Sequence, residues 1–209
     1  MLGLFKRTKI KDWEVILMKE VFQALDDNFI SFRNQLKDGL LRGVRIYSND
    51  PSHYIGFKYT PDVAEKYLDE TKEDFSIEGI QVYDEILSKY IDFIIYTTHG
   101  LICGYSTPAS DKPKFNINKI KLDGVKKVYL NNLDFENVKN LFNESELKLI
   151  NPSEVYEVEL EGKKYYHLKD LEDGDFIGID TEKRVYKFTH DPYEIKLLGV
   201  DLSSVLNSK

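Results

Sequence analysis

The stretch from Gly174 to Asp191, GDFIGIDTEKRVYKFTHD, constrains the fold more than any other part of the chain. It holds two short runs that alternate between apolar and polar residues, Phe176–Asp180 and Arg184–Thr189, joined by the polar residues of Asp180–Lys183. A side-chain period of two belongs to a strand with one buried face, so the pair predicts a β-hairpin. The apolar weight of the alternation turns Ile177 and Ile179 inward, sets Val185 and either Phe188 or Tyr186 opposite them, and leaves the acidic residues facing water.

Helical spacing opens the chain. From Asp12 to Asp38 the apolar positions, among them Trp13, Leu17, Val21, Leu25, Phe32 and Leu36, form one stripe. Asp12 is the expected N-cap and Gly39 the stop, which predicts one long helix. Val44–Ser48 and Tyr54–Tyr59 read as strands around the turn Asn49–Ser52, and Thr60-Pro61 starts a short helix as cap and first helical residue. Phe75–Tyr83 is a strand interrupted at Gly79, a position suited to a bulge. Ile91–Thr98 and Leu101–Ser106 flank His99-Gly100, a two-residue loop with glycine second, which predicts a hairpin.

Residues 107–114 hold two prolines among small and polar side chains and read as a linker. Beyond it come a strand at Val125–Leu130, a helix at Asp134–Phe142, and strands at Val155–Leu160 and Lys164–Leu168. The hairpin follows, then Tyr193–Leu198 and a short apolar segment, Leu202–Leu206. The order predicts an α+β fold: mostly antiparallel, twisted sheet or sheets with a long N-terminal helix and short packed helices. The prolines divide it into lobes at 1–106 and 117–209 with a linker at 107–116, or else form a loop within a single domain, 1–209.

Composition narrows the function classes. Of 209 residues 42% are hydrophobic and 13% aromatic, enough for a packed core. A net charge of −7 is unsuited to coating phosphates, so nucleic acid is not the expected partner. No apolar run approaches about 18 residues, so no membrane span is expected. The basic start, Met1–Lys11, lacks a following apolar segment and does not read as a secretory signal, which places the chain in the cytoplasm. A single cysteine excludes an internal disulfide.

Two constellations bear on chemistry. His190-Asp191, with Asp175 and Asp180, has the residue types of a metal or acid–base site, and the same residues equally suit a strand-end turn closed by Pro192. Cys103 with His99 across the turn has the types of a nucleophile and its base, although Leu-Ile-Cys-Gly-Tyr is the setting of a small buried hydrophobe. The other histidines, His53 and His167, join no zinc-ligand spacing, and no motif calls for a cofactor. The acidic run before and within the hairpin lies close in sequence to tyrosines. Tyr165, Tyr166, Glu172, Asp173, Asp175 and Glu182 are therefore the expected partner surface, with aromatic anchors and charges that steer a basic protein.

Gly174–Asp180, then Val185-Tyr186, then His190-Asp191 and a short apolar C-terminal segment, together resemble the SMI1/KNR4 (SUKH) superfamily. The resemblance implies an α+β fold with a twisted antiparallel sheet and a binding role. Many bacterial members look like immunity proteins, which bind and block a toxin from a neighbouring cell without catalysis. The expectation is a cytoplasmic, non-catalytic protein that neutralises a toxin, with a basic toxin domain as its protein partner. The alternatives are an enzyme or metal-binding protein with a site near His190 and Asp191, and an assembly subunit docking through the Trp13–Leu36 stripe.

Overall fold

In the computed structural model, which describes residues 7–46, 53–107, 113–130 and 133–207, the Asp12–Asp38 stripe makes two helices rather than one. α1 (Asp12–Ala24) and α2 (Ile30–Lys37) are separated by a 3-10 turn at Asp27–Phe29. The break is local chemistry. Asp26 accepts a hydrogen bond from the Asn28 N–H at 2.9 Å, offering the backbone a turn in place of the helix. Arg33 then donates to the Leu25 and Asp26 carbonyls, at 2.8 Å each, which α1 leaves unpaired at its end. Lys11 rather than Asp12 is the N-cap residue, and its N–H is taken by the Glu14 carboxylate.

β1 (Leu41–Ile46), β2 (Ile55–Tyr59), α3 (Pro61–Tyr67), β3 (Phe75–Asp84), β4 (Lys89–Thr98), β5 (Leu101–Ser106), β6 (Phe115–Lys121) and β7 (Lys126–Tyr129) follow. The strands form one sheet ordered β1-β2-β5-β4-β3-β6, with β7 also on β3. The expected turn at Asn49–Ser52 lies outside the described residues. Thr60 is the N-cap residue and Pro61 opens α3, but the Thr60 hydroxyl donates to the Gly39 carbonyl at 2.8 Å rather than accepting from a helix N–H. His99 and Gly100 both have positive φ, +47° and +76°, as the tight hairpin turn requires. At Gly79 the β3–β4 register shifts, and a Cβ there would stand 2.0 Å from the Gly124 carbonyl oxygen. The β6–β7 turn, which holds Gly124, lies directly on this bulge. The core of this unit is Leu17, Val21, Phe22, Phe32 and Leu36 from the helices against Ile77, Ile80, Phe93, Ile95 and Tyr105 from the strands.

β6 begins where the sequence reads as linker. It pairs with β3, so the residues after the prolines continue the first sheet. The chain divides into two compact units elsewhere: 1–69 with 75–128, and 70–74 with 129–209. The charge divides with them. The second unit has 20 Asp and Glu against 11 Lys and Arg, net −9, and the first has 16 against 18, net +2, together the −7 of the chain.

The second unit runs α4 (Leu133–Val138), α5 (Glu144–Leu147), β8 (Tyr156–Leu160), β9 (Lys163–Asp170), β10 (Phe176–Asp180), β11 (Val185–His190), β12 (Tyr193–Leu198) and α6 (Leu202–Leu206). The helix expected at Asp134–Phe142 ends at Val138 and gives way to a 3-10 turn, Lys139–Leu141. The five strands form an antiparallel meander in sequence order. One face carries Tyr166, Leu168, Ile177, Ile179 and Val185, packed with Val138 and Phe142 and with Leu202 and Leu206 of α6. Among the described residues two antiparallel sheets with six α-helices make the fold α+β. No helix among the described residues is long and apolar enough to cross a membrane.

Candidate functional site

The five-stranded sheet has a second face, and it is not polar. Residues directly opposite in an antiparallel pair share a face. Phe176 opposes Phe188, Gly178 opposes both Tyr186 and His167, and Asp180 opposes Tyr165. The edge strands continue the face, with Tyr156 opposite His167 on β9, and Ile195 and Leu197 opposite Phe188 and Tyr186 on β11. Among the described residues the ring contacts on this face are made by strand residues alone.

Phe176 and Phe188 stack with centroids 4.3 Å apart and planes 7° from parallel. Gly178 makes that possible. A Cβ there would stand 2.6 Å from the Tyr166 carbonyl oxygen and 3.1 Å and 3.4 Å from the two phenyl rings. Tyr165 meets Phe188 edge-on at 5.0 Å. His167 is fully buried, with its ring stacked on Tyr156 at 4.4 Å. Its Nδ1 lies 2.8 Å from the Glu154 carbonyl and its Nε2 lies 3.0 Å from the Asp170 carboxylate, so both ring nitrogens are engaged.

The face is concave. Glu161, in the β8–β9 turn, lies against the Tyr193 hydroxyl at the start of β12, so the two edges of the sheet approach one another. The floor of the trough, Tyr165, His167 and Phe188, is buried, while Tyr156 is 39% exposed and Tyr193 and Leu197 each 56%. At one end the trough opens into a cleft of about 350 Å³ lined by Lys163, Lys164, Tyr165, Asp180, Thr181, Arg184 and Tyr186.

Asp180 organises that end. Its Oδ1 accepts from the Glu182 and Arg184 N–H groups at 2.9 and 3.0 Å, and its Oδ2 accepts from Arg184 Nε at 2.6 Å and the Tyr186 hydroxyl at 3.1 Å. Burial alone raises its pKa, but these hydrogen bonds outweigh burial and hold the carboxyl below its usual value. The folded state therefore binds this proton less tightly than the unfolded chain. The stabilisation is present above the unfolded value, about 3.9, and is lost as the pH falls through the folded value. Asp180→Asn is expected to remove that part of the acid-induced loss of stability, measured as the pH dependence of the denaturation midpoint. Equal acid dependence in the two proteins refutes the assignment.

The expected partner surface does not assemble. Tyr165 and Tyr166 are 4% and 8% exposed and, being consecutive in a strand, lie on opposite faces, Tyr166 in the helix-packed core. Glu172 and Asp173 are exposed in the β9–β10 turn, and Asp175 beside them is occupied by Lys187 and His190. Glu182 sits in the β10–β11 turn, at the other end of β10, roughly 17 Å away along the strand. The acidic residues are thus split between the two ends of the sheet.

The same strand separates the histidine constellation. His190 Nδ1 is 3.4 Å from Asp175, but Asp180 is at the far end, bound to Arg184 and Tyr186. Among the described residues no three His, Cys, Asp or Glu side chains stand together as a metal site. Cys103 is half-buried with its sulfur 3.7 Å from the Tyr54 hydroxyl, and His99 belongs to the turn before that strand. The signal for the trough in the sequence is that Tyr156, Val158 and Leu160, and likewise Tyr193, Ile195 and Leu197, alternate with charged residues. Compared with known proteins, the chain matches no family model, no curated protein and no solved structure.

Proposed function

We propose that the protein is a cytoplasmic, non-catalytic binding protein of the immunity type, which neutralises a toxin by binding a basic domain of it in the aromatic trough. The observation that carries this reading is the position of the trough. A concave face of stacked rings, where among the described residues the ring contacts come from strands alone, lies on the unit that holds the net negative charge of the chain. Rigid aromatic groups supply contact area at low entropic cost, and charge of one sign steers a partner of the other. The resemblance of Gly174–Asp191 to SMI1/KNR4 proteins supports the same reading. The residues of that motif are occupied structurally: Phe176 in the stack, Ile177 and Ile179 in the core, Gly178 under the rings and Asp180 in the turn.

Co-expression with the toxin encoded beside the gene tests the proposal. A stable complex and protection of the cell are expected. Tyr156→Ser and Leu160→Ser, on the wall formed by β8, are expected to weaken the complex by roughly 30-fold each, the effect of losing a contact worth about 2 kcal/mol. Absence of both complex and protection counts against the function, and undiminished binding by these variants counts against the trough as the site.

A further inference from the structure

Among the described residues β12 pairs with β11 alone, and its other edge is met at Tyr193 by Glu161 of the β8–β9 turn. Tyr193, Glu194, Lys196 and Leu197 are all exposed along it. Proteins that stay single guard such edges with charged side chains, proline or a bulge. β12 pairs with β11 in unbroken register and has no internal proline. Its two charges, Glu194 and Lys196, are of opposite sign, and among the described residues neither enters an ion pair. Opposite Lys196 on β11 is another cation, Lys187, which is engaged by Asp175 at 3.7 Å.

These charges suit one occupant. His190 and Tyr193 flank a two-residue turn, so Tyr193, Ile195 and Leu197 direct their N–H and C=O groups to β11, while those of Glu194 and Lys196 point outward. Consider a second β12 laid antiparallel with Ile195 on the two-fold axis. Glu194 then opposes Lys196 of the second copy, and Lys196 opposes its Glu194, as hydrogen-bonded pairs of opposite charge. On the other side of the sheet Tyr193 opposes Leu197 of the second copy, and Ile195 meets its own equivalent. Moving the axis to Glu194 or to Lys196 sets like charges together, and placing it between Ile195 and Lys196 opposes an apolar side chain to a charged one. One register satisfies every side chain.

We propose that the chain forms a two-fold dimer through β12, joining two five-stranded sheets into one of ten strands. The interface is isologous and therefore closes on itself. It is independent of the toxin reading, whose test residues lie on β8 at the opposite edge.

Light scattering on the eluting protein tests the dimer at concentrations up to ~100 μM, the range of a weak contact. The expected mass is twice 24.4 kDa. Lys196→Glu sets a carboxylate against Glu194 of the second copy and is expected to raise the dissociation constant at least tenfold. Glu194→Lys is expected to do the same, and the double exchange E194K/K196E to restore the dimer. All these positions are exposed, and unchanged circular dichroism checks that the variants fold. A wild-type mass of 24.4 kDa throughout, a dimer indifferent to Lys196→Glu, or a double exchange that stays monomeric would overturn the proposal.

Discussion

Glu14→Ala is expected to destabilise the first unit by about 3 kcal/mol or more, among the largest effects any single substitution in this chain should have. Glu14 is fully buried on α1 and is bound on every side. Arg7 grips both its oxygens, Nη1 to Oε2 and Nη2 to Oε1, at 2.7 Å each. The Tyr105 hydroxyl and the Lys11 N–H donate to the same carboxylate. Truncation leaves four donors without their acceptor, and Tyr105 is 1% exposed, so water cannot replace the lost partner. Arg7 is 23% exposed and can hydrate in part, which puts the estimate at the low end of the 3–5 kcal/mol typical of breaking a buried pair.

The consequence reaches beyond the pair. The Thr8 carbonyl accepts from the Val44 N–H at 2.9 Å, so the segment that Arg7 pins also extends the edge of β1. Trp13, the only tryptophan, sits against Tyr105 and Phe115 and reports this unit selectively. Urea denaturation followed by its fluorescence should show the midpoint fall in Glu14→Ala. Tyr105→Phe, which removes one donor and keeps the ring, should cost only about 1 kcal/mol. A loss below 1 kcal/mol in Glu14→Ala is the result that sinks this account.

Gly178→Val is the second. Its side chain must enter the space between the Tyr166 carbonyl, 2.6 Å from the nearest added carbon, and the Phe176 and Phe188 rings. The carbonyl belongs to the neighbouring strand and cannot rotate away as a side chain can. β9 and β10 must separate or the rings must unstack, a cost of about 3 kcal/mol for overpacking alone. Phe188 is 3% exposed and contacts Phe176, Tyr165 and Tyr186, so the floor of the trough moves as a whole. A lowered thermal midpoint with loss of near-ultraviolet tyrosine and phenylalanine dichroism is expected. Gly178→Val with a wild-type melting curve refutes the packing described here.

Both substitutions act where the sequence was hardest to read. Glu14 looks like any helical glutamate, because nothing local says that Arg7 and Tyr105, seven residues before and 91 after, converge on it. Gly178 reads as a small residue in an alternating strand, because the carbonyl and the rings that enclose it belong to β9 and β11. Tyr165 and Tyr166 looked exposed beside acidic neighbours. Their burial depends on a sheet with apolar material on both faces, a property that alternation in single strands does not reveal.

What the sequence determined by itself was local. Period-two alternation placed the hairpin at Phe176–His190, glycine after His99 supplied a turn with two positive φ angles, and Gly79 marked the bulge, because each follows from steric limits within a few residues. The break at Asp26 is equally short-range, but there the side chain competes with a strong helical stripe, and periodicity records only the stripe. Tertiary structure alone decided which strands are neighbours. β6 hides its alternation because its register on β3 shifts between Val82 and Tyr83, spacing Phe115, Ile117 and Ile120 unevenly. It also decided that Asp175 and Asp180, five residues apart, serve opposite ends of a sheet, and that rings from β8 to β12 share one concave face. Those outcomes rest on contacts between distant residues, whose energies appear only once the strands are paired.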